Sequence, residues 1–331
     1  MQAAGLTTAP PIMIMMLMSI RVAAATVVVV ALLAGCGSGS TGTGSAASGR
    51  SGSSGTLTVV ASFYPLQFAA QRVAGDLAKV DSLTKPGAEP HDLELTPKDV
   101  ARVGSADLVV YLAGFQPAVD DAIQTQPPKA GFDVTGTARL DLTYTPIEQG
   151  AQASDEAGGA DPHFWLDPTR LAAVGDAVAA QLGKIRPADA ATFNSNAAAL
   201  RTDLESLDAE FAAGLSSCGN KDLVTSHNAF GYLAQRYGLT QQGITGLTPE
   251  QEPDPKALAE VTSFVRANQV RTIYYETLVS PDIARVVANE TGAQTAVLDP
   301  IEGLNEQSQG NDYLEVMRAN LANLKVGQSC P

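Results

Sequence analysis

The chain has three histidines, three cysteines and a single tryptophan among its 331 residues, and each scarcity excludes something. Cys36, Cys218 and Cys330 stand too far apart for any CxxC pair, and no HExxH occurs, so the short-spacing zinc and thiol-redox motifs are absent. Basic residues number 21 against 35 acidic ones, a formal net charge of −14 that nucleic acid would repel. A cation is the better-matched ligand. Charged residues make up 17% and hydrophobic ones 45%, a globular balance without wholesale disorder. The length allows two ordinary domains or one large one.

What is present begins with an export signal. Arg21 precedes the apolar run 22–35, "VAAATVVVVALLAG", which ends at Cys36. The run falls short of the ~20 residues that a membrane span needs. Its charged start, short apolar centre and small-residue end have the form of a secretory signal. "LLAGC" resembles the bacterial lipobox, which implies removal of residues 1–35 and acylation of Cys36. Met18 is a second plausible start. Residues 37–55, dense in Gly, Ser and Thr, read as a flexible tether between a lipid anchor and a folded body. The expected location is therefore extracytoplasmic, lipid-anchored to the plasma membrane. In an oxidising compartment the two remaining cysteines, Cys218 and Cys330, are expected to pair.

The folded body alternates short β-branched runs with helical patterns of about ten residues, the signature of βα units around parallel sheets. "TLTVVASFYPL" reads as a strand broken at Pro65. "AKVDSLTK" and "DLVVYLA" follow as strands, with "KDVARVGSA" a helix between them. The rhythm returns in "KDLVTSH", "VRTIYYET" and "QTAVLDP", with helices over "NAFGYLAQRYG", "ALAEVTSFVRANQ" and "SPDIARVVANETG". Between the two halves, residues 187–217 carry Phe193, Leu200, Leu204, Leu207, Phe211 and Leu215 at helical spacing. A helix of that length would span about 45 Å. The expected architecture is two α/β lobes, 56–186 and 218–331, joined by a stiff helix over 187–217.

The three histidines fall at comparable places in this pattern. His91 lies in "GAEPHDLELTP", after a strand. His163 lies in "GADPHFWLDP", a stiff turn between two Asp-Pro pairs that is expected to sit at the mouth of a cleft. His227 ends the strand "DLVTSH". Ligands of open α/β sheets collect beyond the carboxyl ends of the strands, so all three can face one crevice. Asp299, ending "QTAVLD", supplies a carboxylate at the matching place in the last unit, and Glu276, ending "TIYYET", competes with it. Three imidazoles and one carboxylate suit tetrahedral zinc. Trp165 is expected as a core anchor and Asp167 as the cap of the next helix.

The stretches "SFYPL", "PHDLELTPKDV", "LVVYLAG", "HFWLDP", "LVTSHNAFGYLAQRYGL", "EPDPKALAEV" and "LDPIEGL" together resemble the metal-specific solute-binding lipoproteins of bacterial ABC importers, the zinc/manganese group called cluster A-I. The resemblance covers residues 56–331 in family order. It implies two lobes joined by a rigid helix, with one metal between them held by His91, His163, His227 and Asp299. It also implies partnership with an ABC permease and its ATPase subunit, and a monomeric, non-enzymatic protein. Histidine at the position of His227 is typical of zinc binders, whereas manganese binders usually have glutamate there. The implied cargo is therefore Zn2+, with Mn2+ or iron as the alternative. One departure stands out: many zinc members carry a His-rich loop where residues 148–161 are acidic and lack histidine. An envelope zinc hydrolase, with Glu276 as base, and a surface adhesin are the remaining alternatives.

Overall fold

A computed structural model describes residues 55–147, 158–253 and 255–331. The expected leader, Cys36, nearly all of the tether and most of the acidic stretch 148–161 lie outside the described residues. Among the described residues no helix is long and apolar enough to cross a membrane.

The first lobe runs β1 (Leu57–Ala61), α1 (Tyr64–Ala74), β2 (Ala78–Ser82), α2 (Pro97–Ser105), β3 (Leu108–Tyr111), α3 (Pro117–Thr125), β4 (Gly131–Asp133) and α4 (Thr135–Ala138). Two long helices follow, α5 (Pro168–Ile185) and α6 (Ala190–Leu215). The second lobe is β5 (Asp222–Thr225), α7 (Gly231–Tyr237), β6 (Thr240–Gly243), α8 (Pro255–Ala267), β7 (Thr272–Tyr275), α9 (Asp282–Thr291), β8 (Gln294–Val297) and α10 (Tyr313–Gly327). The sheets are ordered β2-β1-β3-β4 and β6-β5-β7-β8, with every pairing parallel. In each sheet the order reverses beside its first strand, between β1 and β3 and between β5 and β7. This switch point opens a crevice at the strands' carboxyl ends.

Helix starts follow local chemistry. Pro65, Pro97, Pro117 and Pro168 occupy first turns, where the missing N–H costs nothing. Pro65 thus opens α1 rather than ending a strand, and β1 stops at Ala61. Thr96 and Asp99 form a capping box on α2, and Asp167 caps α5 by accepting from Thr169 N.

The linking helix, expected from Pro187, begins at Ala190 after a 3-10 turn over Pro187–Asp189. Its buried stripe is Phe193, Ala197, Leu200, Leu204, Leu207, Phe211 and Leu215. α5 packs along it, and Gly175 permits the approach, since a Cβ there would lie 2.9 Å from Leu200 Cδ2. One apolar cluster runs without a break from β1 and α1, through α5 and α6, into Leu223, Tyr274 and α10. Phe68 stacks on Tyr313 at 5.3 Å from one lobe to the other, and Phe211 of α6 stacks on Tyr237 of the second lobe at 5.1 Å. A disulfide joins Cys218, just beyond α6, to Cys330, beyond α10.

Candidate metal centre

His227 lies two residues beyond the end of β5, and its backbone is fixed there. Its carbonyl accepts from Thr225 Oγ1 at 2.6 Å and from Gln241 Nε2 at 3.2 Å. His163 opens a 3-10 turn, Phe164–Leu166, between the two Asp-Pro pairs. Asp161 Oδ1 accepts from His163 N at 2.9 Å and lies 2.7 Å from His163 Nδ1, so one oxygen sets both backbone and ring. His91 sits on the long connection from β2 to α2. Its backbone N–H donates to Glu89 Oε1 at 2.9 Å, its ring lies edge-on to Phe115 at 4.7 Å, and Gln116 Nε2 donates to Pro90 O at 3.1 Å.

These segments bring three imidazoles onto one carboxylate, that of Glu302. Glu302 Oε1 lies 3.3 Å from His91 Nε2, 3.0 Å from His163 Nε2 and 3.5 Å from His227 Nε2. His163 and His227 Nε2 are 3.4 Å apart, and all four donor atoms lie within 4.8 Å of one another. A tetrahedral ion with bonds of about 2.0–2.1 Å separates its ligand atoms by about 3.3 Å. The four separations above scatter around that edge length. Behind the cluster, Glu276 Oε1 lies 2.7 Å from His227 Nδ1 and accepts from Ser226 Oγ at 2.8 Å. With Nδ1–H directed at Asp161 and Glu276, the Nε2 lone pairs of His163 and His227 are left for a cation.

Burial sharpens the electrostatics. The His163 and His227 side chains are 0% and 1% exposed, Glu302 is 0%, and His91 is the most open at 8%. Burial pulls the His163 pKa down, but hydrogen bonds to Asp161 and Glu302 outweigh it and the net shift is upward. His227 goes well above its usual value, because the charge and hydrogen bond of Glu276 overcome the same desolvation. Desolvation wins at His91, which is lowered. Glu302 is held well below the usual carboxylate range: three imidazoles outweigh its burial. Glu89, largely removed from water and facing the charge of Glu302, is pushed up to about 10. The Oε2 atoms of Glu302, Glu276 and Glu89 are buried without a hydrogen-bond partner. Of these, only Glu302 belongs to the four-donor cluster, and its unpaired buried oxygen fits a cation there.

The structure brings His91, His163 and His227 together but leaves Asp299 out of the cluster. Both Asp299 oxygens are occupied elsewhere, Oδ1 by Ile301 N at 2.8 Å and Oδ2 by Thr277 Oγ1 at 2.9 Å. Its burial pushes its pKa up to about 6. The carboxylate that the structure sets among the three imidazoles is instead Glu302, further along the same loop. Glu276, the other carboxylate considered, supports His227 from behind. His163 is not at the cleft mouth; it is fully buried. Sequence reasoning missed Glu302 and the role of Asp161. The visible signal was a second carboxylate within "LDPIEG", but choosing between Asp299 and Glu302 requires the backbone of the turn.

The sequence profile of a family described as zinc-uptake complex component A, periplasmic, matches residues 59–327. The zinc-binding lipoprotein AdcA of Streptococcus pneumoniae is 37% identical over 287 residues, covering 84% of this chain and 57% of its own length. This chain thus spans little more than half of that streptococcal relative. The high-affinity zinc uptake system protein ZnuA of Bacillus subtilis is 34% identical over 281 residues, 81% of this chain and 86% of its own. Among solved structures, the Zn(II)-bound ZnuA-like domain of Streptococcus pneumoniae AdcA superposes with a TM-score of 0.69 at 37% identity, covering 83% of this chain and 99% of that one.

Proposed function

Because this chain belongs to the zinc-uptake complex component A family, we propose that it captures Zn2+ outside the cytoplasm and hands it to an ABC permease powered by an ATPase subunit. The observation that carries this reading is the convergence of three imidazole nitrogens on the Glu302 carboxylate at near-tetrahedral spacing. His91, His163, His227 and Glu302 are the proposed ligands. Zinc is cargo here, so the site binds and releases without catalysing.

Three nitrogens and one oxygen favour zinc over manganese, which prefers carboxylate and water oxygens. A zinc hydrolase keeps a coordination position open for water, whereas four converging donors close the tetrahedron. The name of the AdcA relative as a lipoprotein supports tethering through an acylated Cys36. The two-lobed body would then hang from the membrane on the Gly/Ser tether.

The test is metal content. Protein purified without an affinity tag, stripped by a chelator and reloaded, is expected to retain a single zinc ion in the presence of excess manganese, measured by mass spectrometry. His163→Ala is expected to lose it. A wild-type protein that retains no zinc at micromolar free metal overturns the reading.

A further inference from the structure

The turn that carries Glu302 is built in an unusual way. Ile301, fully buried, has φ of +59°, the left-handed region that a β-branched residue occupies only when its surroundings impose it. Those surroundings are specific. Asp299 Oδ1 accepts from Ile301 N at 2.8 Å, closing the turn from within. Thr277 Oγ1 holds the other Asp299 oxygen at 2.9 Å. Asn320, on α10, grips the Asp299 backbone twice: its Oδ1 accepts from Asp299 N at 2.9 Å and its Nδ2 donates to Asp299 O at 2.7 Å. From the His163 segment, Trp165 Nε1 donates to Pro300 O at 2.7 Å, while Trp165 O accepts from Tyr313 Oη at 2.6 Å. Asp299, Pro300 and Ile301 thus each have a backbone group held by a side chain.

We propose that Asp299 is a positioning residue: its carboxylate clamps the left-handed Ile301 turn that presents Glu302 to the three imidazoles, and Trp165 ties that turn to the His163 segment. Asp299 does not itself touch the ion. This inference rests on the zinc reading and names what holds the oxygen ligand in place. Without the clamp, Ile301 relaxes toward negative φ and Glu302 leaves the cluster, while the three imidazoles stay.

The experiment compares zinc affinity by chelator competition, the rate of zinc loss to excess chelator, and the thermal stability of the metal-free form. The proteins are wild type, Asp299→Ala, Asp299→Asn and Trp165→Phe. Loss of an outer partner of a metal ligand typically costs about 10–100-fold in affinity, and Asp299→Ala is expected to fall in that range with faster zinc loss. Asp299→Asn keeps an acceptor for Ile301 N and is expected to recover most of that loss. The zinc X-ray absorption spectrum of Asp299→Ala is expected to keep the imidazole signature and lose the carboxylate contribution. Trp165→Phe keeps an aromatic ring but removes the N–H along with the pyrrole part of the indole, and should hasten zinc loss even if Asp299→Ala does not fold. If Asp299→Asn loses as much as Asp299→Ala, the acceptor contact to Ile301 N is not what zinc binding needs and the proposal is wrong. Wild-type affinity in Asp299→Ala also overturns it. Failure of the zinc reading would look different, since wild type itself would then retain no ion.

Discussion

Both lobes reverse their strand order at the equivalent place, but they deliver their donors in unequal ways. In the second lobe β5 ends at Thr225 with His227 two residues on, while β8 ends at Val297 with Glu302 on the clamped turn beyond it. In the first lobe β2 ends at Ser82, and His91 lies midway along the connection to α2, which starts at Pro97. His163 has left the first-lobe sheet altogether and sits in the turn that leads into α5. His163 and His227 each have a carboxylate 2.7 Å from Nδ1, whereas His91 has Glu89 near its backbone N–H and an aromatic edge at its ring. The contrast teaches that three donors are preset by buried partners and strand ends, and that His91 is the adjustable one. A scaffold holds geometry to the extent that neighbouring groups lock it.

The largest effect should separate preset from adjustable donors. His163→Ala removes a proposed ligand and leaves the buried Asp161 facing no imidazole. Zinc affinity is expected to fall by more than the about 10–100-fold typical of outer partners, read by chelator competition. His91→Ala, at the open edge, should cost less. Equal losses in the two variants would break the comparison.

The pH dependence comes next in size. In the metal-free protein His163 and His227 are raised, so both hold protons above the usual imidazole value of about 6.5. Zinc must displace those protons. Affinity is therefore highest above the raised values and falls as pH drops through them, by about tenfold per pH unit for each proton displaced. Metal-free stability runs the other way. A group whose pKa rises on folding contributes fully below its unfolded value, and that contribution is lost as pH climbs through the folded value. Above about pH 6.5 the melting temperature of the metal-free form should thus decline with rising pH, while the increment added by zinc grows. Parallel slopes for the two forms would contradict this assignment.

Glu276→Gln tests the support of a preset donor and is expected to weaken zinc by about 10–100-fold without unfolding the protein. The smallest effect concerns His91. On zinc binding, amide exchange across residues 85–95 should slow more than across 222–228, because the second segment is already held. A larger change at His227 than at His91 would reverse the assignment of rigid and adjustable halves.

The sequence exposes these parts unevenly, for physical reasons. The inner strands β1, β3, β5 and β7 are legible because Val59, Val110, Val224 and Ile273 must be buried on both sheet faces. β4 and β6 were not, since "GFD" and "TQQG" are edge strands whose exposed positions carry no apolar pattern. The histidines could be located because each follows a strand or a fixed turn in a chain with so few of them. Glu302 could not, because the rule of donors at strand ends selects Asp299. The left-handed turn that brings Glu302 forward is carried by Ile301, where neither glycine nor asparagine announces it.

One feature of the site makes it observable in light. Trp165 is the sole tryptophan, is fully buried, and lies 5.2 Å from the His163 ring at an interplanar angle of 59°. Every photon of indole emission therefore originates beside one proposed ligand, within a hydrogen bond of the loop that carries another. An imidazolium quenches indole more efficiently than a neutral or metal-bound imidazole. The metal-free protein should dim on acidification as His163 takes its proton, and brighten as zinc replaces that proton. A dye-free titration can thus follow proton and metal competing for the same nitrogen.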